Sequence, residues 1–288
     1  MTAAASGFGF ETRMEPLLSF STLGCPDWSF DQIMEFAVKH GYKGLEIRGL
    51  QREMDLPKCK EFNSKESRAL TLKRMKQHGL QFVGLGSSAN LHLSVSAARE
   101  KNLDEGKRFI DLAHEIDCPY IRVFPDNFPG DQEKAATMEL MSKGLLELAQ
   151  HANKTKVTVL METHGDLVKM AEIKQVMDAV AHPHAGLIWD ISNMWTVTKE
   201  PPVEVYALLK KYIRHTHIKD ATLVNGKPSY TLLGRGEVPI FEAIDVLEKN
   251  KYKGFYSFEW EKLWHPEILE PEIALADYPV EMKKHFNK

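Results

Sequence analysis

The sequence predicts a single-domain α/β protein, a closed (β/α)8 TIM barrel, on three observations. Apolar runs of strand length alternate with helix-length stretches along the chain, and the strand starts recur about every 34 residues, the size of one βα unit. Several runs are continuously apolar rather than alternating, as strands buried on both faces of a parallel sheet must be. An open doubly wound sheet would carry a GxGxxG turn after its first strand, and none is present.

The first strand is expected at Leu17–Gly24. Gly41 stops a helix and lets the chain reverse into the second, Tyr42–Gly49, and Gly79 does the same for the third, Gln81–Ser88. Leu103–Ile116 sets Leu103, Phe109, Ile110, Leu112 and Ala113 at helical spacings, after which Pro119 opens the fourth strand, Tyr120–Asp126. Met138–Ala149 repeats the helical pattern through Met141, Leu145, Leu148 and Ala149. The fifth strand, Lys156–His164, contains the apolar run Val157–Met161, and the sixth, Ala185–Ser192, contains Gly186–Trp189. The seventh spans Ile213–Asp220, and the eighth, opened by Gly254, reaches Glu261. Between them the long connection Ala221–Val238 carries an Asn225-Gly226 hairpin signal, followed by the glycine-rich turn Leu233-Gly234-Arg235-Gly236-Glu237.

Composition narrows the function classes. The chain has 288 residues, 43% of them apolar, with 37 basic against 40 acidic side chains and a formal charge of −3. That balance offers no general attraction for a polyanion, which argues against a nucleic-acid partner. No apolar run approaches the ~20 residues of a membrane span. Residues 1–16 form an N-terminal extension without the basic start and apolar core of a secretory signal, and the barrel occupies 17–288. Cys25, Cys59 and Cys118 are odd in number, widely spaced and without a CxxC, so neither a disulfide framework nor a thiolate zinc site follows, and the usage suits a reducing, cytoplasmic setting.

In a barrel of this kind the active site lies at the C-terminal ends of the strands. Four successive strands deliver acids or imidazoles there: Glu162-Thr163-His164, Asp190-Ile191-Ser192-Asn193, His215-Thr216-His217-Ile218-Lys219 and Glu259-Trp260-Glu261. Singly, each reads as a helix cap or an ion-pair partner. Together, three carboxylates in a dry mouth would repel one another unless a cation compensates them. Three carboxylates with one imidazole suit one divalent ion, Mn²⁺, Zn²⁺, Co²⁺ or Mg²⁺. Residues two apart on a strand share a face, so His217, nearer the rim, is the better ligand and His215 lies deeper. Glu259 ends its apolar run, whereas Glu261 already leads into the loop.

The succession Leu160-Met161-Glu162-Thr163-His164-Gly165, Ile188-Trp189-Asp190-Ile191-Ser192-Asn193, His215-Thr216-His217-Ile218-Lys219-Asp220 and Phe258-Glu259-Trp260-Glu261 resembles the xylose isomerase-like sugar-phosphate isomerase/epimerase superfamily. Gly44-Leu45-Glu46-Ile47-Arg48 and the Leu233–Pro239 loop share the resemblance, which covers nearly the whole chain from Leu17. It implies one divalent ion held by Glu162, Asp190, His217 and Glu259. It further implies Glu162 and Glu259 as the base and acid on opposite faces of an enediolate, acting on a sugar, keto-sugar or cyclitol. Members are often dimers or tetramers, so a homo-oligomer is expected. Where epimerases of the superfamily commonly place a His three residues after the ligating Asp, this chain has Asn193, which argues against the multi-zinc abasic-site endonucleases and departs from the ketose 3-epimerase pattern.

Further substrate contacts are expected from Arg48 and Arg122 at the ends of the second and fourth strands, for a carboxylate or phosphate, and from His92, His164, Asn193 and Lys219. Trp195 and Trp264 could wall a sugar ring, and Gly234–Gly236 reads as a turn rather than a phosphate cradle. The rival reading is a dehydratase or keto-glycoside lyase, in which the same proton abstraction ends in β-elimination. A sugar-binding protein without turnover is the rival from another class.

Overall fold

The computed structural model describes residues 15–94 and 96–288. Of the extension expected over residues 1–16, only Glu15 and Pro16 fall among them. In chain order the elements are β1 (Leu18–Ser21), α1 (Phe30–Lys39), β2 (Gly44–Ile47), α2 (Lys65–Gln77), β3 (Gln81–Asn90), α3 (Ala97–Glu115), β4 (Tyr120–Phe124), α4 (Lys134–His151), β5 (Thr158–Glu162) and α5 (Met170–Val180). There follow β6 (Ala185–Asp190), α6 (Ile191–Thr198), α7 (Pro202–Leu209), β7 (Ile213–Ile218), β8 (Asp220–Val224), β9 (Lys227–Thr231), α8 (Ile240–Lys249), β10 (Tyr256–Phe258) and α9 (Pro271–Phe286).

Eight parallel strands close on themselves in the order β1-β10-β7-β6-β5-β4-β3-β2. Each expected strand is present, two to four residues shorter at its ends in most cases. Leu187, Ile188 and Trp189 of β6 are all buried, since the barrel interior covers one face and the helices cover the other. The helices bury the apolar stripes their spacing implies: Leu103, Phe109, Ile110, Leu112 and Ala113 on α3, and Met141, Leu145, Leu148 and Ala149 on α4. The N-terminus of α1 is fixed by a capping box between Ser29 and Gln32. None of the helices among the described residues is long and apolar enough to cross a membrane.

Two units depart from the simple repeat. The sixth carries two short helices, α6 and α7, with Pro201 before α7 and Pro202 at its first position preventing one continuous helix. In the seventh, the long connection folds into the hairpin β8–β9, where Val224 pairs with Lys227. Asn225 (φ 53°) and Gly226 (φ 76°) make its turn, the left-handed pair that a two-residue hairpin loop requires.

Asp220 locks the rest of that connection. Its Oδ2 accepts the Gly234 and Gly236 N–H groups, both at 2.9 Å, and its Oδ1 accepts those of Ala221 (2.8 Å) and Val238 (3.3 Å). The glycine-rich turn therefore wraps a carboxylate of its own chain, and its N–H groups are not offered to a phosphate. Replacing Asp220 by Asn should lower unfolding stability by about 2–3 kcal/mol, because an amide NH₂ would face buried donors that need an acceptor. A loss below about 0.5 kcal/mol in denaturant titration would show that the turn does not depend on this charge.

Candidate metal centre

Strand register sets the site. Asp190 of β6 lies level with His217 of β7, and His217 lies level with Ser257 of β10, so these three side chains point into the barrel at one height. Glu259 follows Ser257 by two residues on the same face, one step nearer the mouth, and Glu162 ends β5 beside them. All four carboxylate and imidazole side chains are at most 3% exposed.

His217 is the hub. Its Nδ1 lies 3.1 Å from Glu162 Oε1, 3.3 Å from Glu259 Oε2 and 3.8 Å from Asp190 Oδ2. Neighbouring ligands at about 2.1 Å from one cation lie ~3.0–3.4 Å apart and opposite ones ~4.2 Å. The four donor atoms here all fall within 4.8 Å of one another. A small contraction would therefore bring all four onto one ion, and the donor set of three oxygens and one nitrogen suits a divalent metal of intermediate hardness.

Two members of the cluster, Asp190 and His217, are held from behind. Asp190 is both a helix cap and a cluster member: its Oδ1 accepts the Asn193 N–H at 2.8 Å at the start of α6, which turns Oδ2 towards His217. Thr163 ties the ends of β5 and β6 together, accepting the Asp190 N–H at 2.9 Å through its hydroxyl. His217 Nε2 faces Glu46 at 3.0 Å, and Glu46 also takes His215 Nε2 at 2.9 Å and the Ser257 hydroxyl at 3.0 Å. An acid behind a ligating histidine fixes its tautomer, and Glu46 would in that way leave Nδ1 of His217 for a cation. Glu46 was part of the motif read on the second strand, but sequence alone gave it no role, because its two partners are 169 and 171 residues away.

Cations already balance the acids. Arg122 Nη1 lies 3.0 Å from Glu162 Oε2 and 3.6 Å from Glu259 Oε1. Lys219 Nζ lies 2.8 Å from both Asp190 and Glu259 and also pairs with Glu261. Burial and the Glu259 charge push the Glu162 carboxyl up, but His217 and Arg122 outweigh them and hold it at about 2. Asp190 goes the other way, to about 7: burial dominates, and the neighbouring glutamates offset the help from Lys219. His217 is raised well above its ordinary value, because Glu259, Glu46 and Glu162 overcome its burial.

The remaining expected contacts surround this cluster. Arg48 is 5% exposed and reaches Ser88 Oγ at 3.0 Å. His164 Nδ1 and Asn193 Nδ2 are sealed from solvent with no hydrogen-bond partner, and the His164 ring packs on Phe124 at 4.6 Å. His92 lies further out, its Nδ1 3.9 Å from Asp126. Trp195 is covered by Lys199 at 3.4 Å, and Trp264 is 53% exposed.

Residues 34–277 match the family described as xylose isomerase-like TIM barrel. The chain belongs to that family. A 3-dehydroshikimate dehydratase of Bacillus anthracis is 25% identical over 266 residues, covering 86% of this chain and 91% of that protein. Among solved structures, the IolI protein with a bound zinc atom superposes with a TM-score of 0.74 at 17% identity, covering 94% of this chain and 96% of its own. The D-psicose 3-epimerase of Clostridium cellulolyticum H10 gives 0.73 at 17% identity, over 94% and 99%. The structural matches establish the shared barrel.

Proposed function

We propose that this protein is a divalent-metal-dependent enzyme that isomerises or epimerises a sugar, keto-sugar or cyclitol by moving protons next to its carbonyl. The observation that carries the reading is the way Glu162 and Glu259 share two neighbours. Each has one oxygen on His217 Nδ1, at the ligand cluster, and the other turned to Arg122. A carboxylate can be both ligand and base only if one oxygen stays off the ion, and both glutamates meet that condition. When bound by Glu162, Asp190, His217 and Glu259, the ion supplies Lewis-acid polarisation of the substrate's carbonyl and adjacent hydroxyl. The resident zinc of the IolI structure makes zinc a candidate beside manganese, cobalt and magnesium.

The protein's own groups supply the rest. One glutamate, entering ionised, takes the α-proton, and the other, which must enter the step carrying a proton, gives that proton to the opposite face, so the two exchange protonation states in each turnover. The Arg122 and Lys219 donors, buried and fixed, stabilise the developing enediolate oxygen without reorganising. Asn193 Nδ2 and His164 Nδ1 are unpartnered and buried, and a polyhydroxylated substrate would satisfy them. The free thiols of Cys25, Cys59 and Cys118 fit the reducing cytoplasm as its place of work.

Elimination is the second reading, favoured by the likeness to the 3-dehydroshikimate dehydratase. It begins with the same α-proton abstraction and ends with departure of a β-hydroxyl or glycosidic oxygen, to which the Lys219 ammonium could give a proton. Incubation of the Mn²⁺-loaded protein in deuterated water with keto-sugars, keto-glycosides and 3-dehydroshikimate separates the two. Deuterium gained at the α-carbon without loss of mass supports isomerisation. An unsaturated product establishes elimination, and absence of both exchange and product overturns the enzyme reading.

A further inference from the structure

Arg48 and Arg122 lie side by side across Gly86. A Cβ added at Gly86 would come 2.5 Å from Arg48 Cδ and 3.3 Å from Arg122 Nη2, so the two side chains fit only because position 86 has none. Their circumstances differ. Arg122 is paired with Glu162, donates to the Ser87 carbonyl at 3.2 Å and lies over the Phe124 ring at 3.9 Å. Arg48 makes two neutral hydrogen bonds, to Ser88 Oγ at 3.0 Å and to the Gly86 carbonyl at 3.4 Å. Among the described residues no carboxylate comes within ion-pair distance of it, although it is 5% exposed.

A guanidinium in that position is held against two penalties, loss of water and a like charge beside it. Glu105, Glu162 and Glu259 attract it only from beyond ion-pair range, and Glu105 is already engaged by the Ser88 N–H at 2.6 Å. Burial first, and then Arg122, lower its affinity for its proton. The backbone around it is rigid nonetheless: its N–H donates to Thr22 Oγ1 at 2.9 Å, and the same hydroxyl donates to the Gly49 carbonyl at 2.7 Å. A charged group fixed in a buried mouth with unused donors and no counter-ion is arranged for one that arrives with a ligand.

We propose that the substrate is anionic, a polyhydroxy carboxylate or a sugar phosphate, and that Arg48 is the residue that binds its anionic group. The inference rests on the proposed small-molecule reading of this mouth and narrows its substrate class. Arg122 has its charge shared with the catalytic glutamates, so Arg48 supplies the net attraction and orients the substrate. A neutral sugar would leave it unpaired.

Calorimetric binding to the Mn²⁺-loaded protein tests this with sets of ligands that share a carbon skeleton and differ in whether one end carries an anionic group. Fructuronate, fructose 6-phosphate and fructose share a skeleton, and quinate with its methyl ester provides a cyclic pair. At least one anion should bind tenfold or more tightly than its neutral counterpart, and its identity separates carboxylate from phosphate. In Arg48→Gln that preference should vanish, while Arg48→Lys keeps part of it and thermal unfolding reports that both variants fold. Equal binding of neutral and charged ligands, a preference that survives in Arg48→Gln, or binding by none of the anions overturns the proposal. Deuterium exchange in the same samples reads the enzyme function independently: exchange of neutral sugars alone would sink this inference and leave that one standing.

Discussion

In the Glu162→Gln variant, turnover should fall by about 10²–10⁴-fold, the usual contribution of a positioned proton-transfer group. The amide keeps the shape of the carboxylate and one acceptor oxygen, and it can still face His217 and Arg122, but it cannot take a proton. The pairing with Glu259 makes the experiment sharper than a simple loss. If the two glutamates serve opposite faces, Glu162→Gln still exchanges the α-proton of one epimer with deuterated water, and Glu259→Gln still exchanges that of the other. Neither variant converts one epimer into the other. Under elimination the two variants are unequal, since only one of them removes the base that starts the reaction. Metal content must be measured on each, because Glu162 and Glu259 are also cluster members; a loss of activity that tracks a loss of bound metal would remove the case for a proton-transfer role. Turnover within about fivefold of the parent chain, with metal retained, would exclude the residue as base.

Much of this site was legible in the sequence because a barrel converts order into position. Once the ~34-residue period is recognised, the last polar residue of each strand must lie on one rim, whatever the intervening helices do. Glu162, Asp190, His217 and Glu259 could be picked out in that way, and the period-2 alternation distinguished His217 from His215. The alternation did not reach the second shell. Glu46 is one acid within an ordinary strand motif, and its meeting with His215, His217 and Ser257 depends on β2 facing β7 and β10 across the closed barrel. Lys219 shows the same limit. It was expected near the rim, but its link to Asp190, Glu259 and Glu261 together needs three strand ends to converge. In the fold, the Asn225-Gly226 turn was readable from its two residues, whereas the division of the sixth connection into α6 and α7 needed the prolines to be weighed against a short helical pattern.

Apparent metal affinity should rise steeply with pH, and the reason lies in the protons the cation-free cluster holds. Both ring nitrogens of His217 face carboxylates, and its affinity for a proton is raised well above the ordinary 6.5. Asp190 is raised from 3.8 to about 7. A cation at this cluster needs Nδ1 free and Asp190 ionised, so binding must expel a proton from His217 and, below about pH 7, a second from Asp190. One displaced proton makes the affinity change by about tenfold per pH unit, and two by up to ~100-fold. Chelator competition between pH 6 and 8.5 should therefore show a slope near one above neutrality that steepens below it. The stability of the metal-free protein should move in the opposite sense. For a group with a raised folded-state value, stabilisation is present below its unfolded value and is lost as pH climbs through the folded one. His217 and Asp190 both belong to that class, so metal-free melting temperature should fall as pH rises through this range. Glu162 and Glu259 are depressed and lose their contribution only in acid, well outside it. Added Mn²⁺ should accordingly raise the melting temperature more at pH 8 than at pH 6. A metal affinity independent of pH would mean that the imidazolium of His217 is not what the cation replaces.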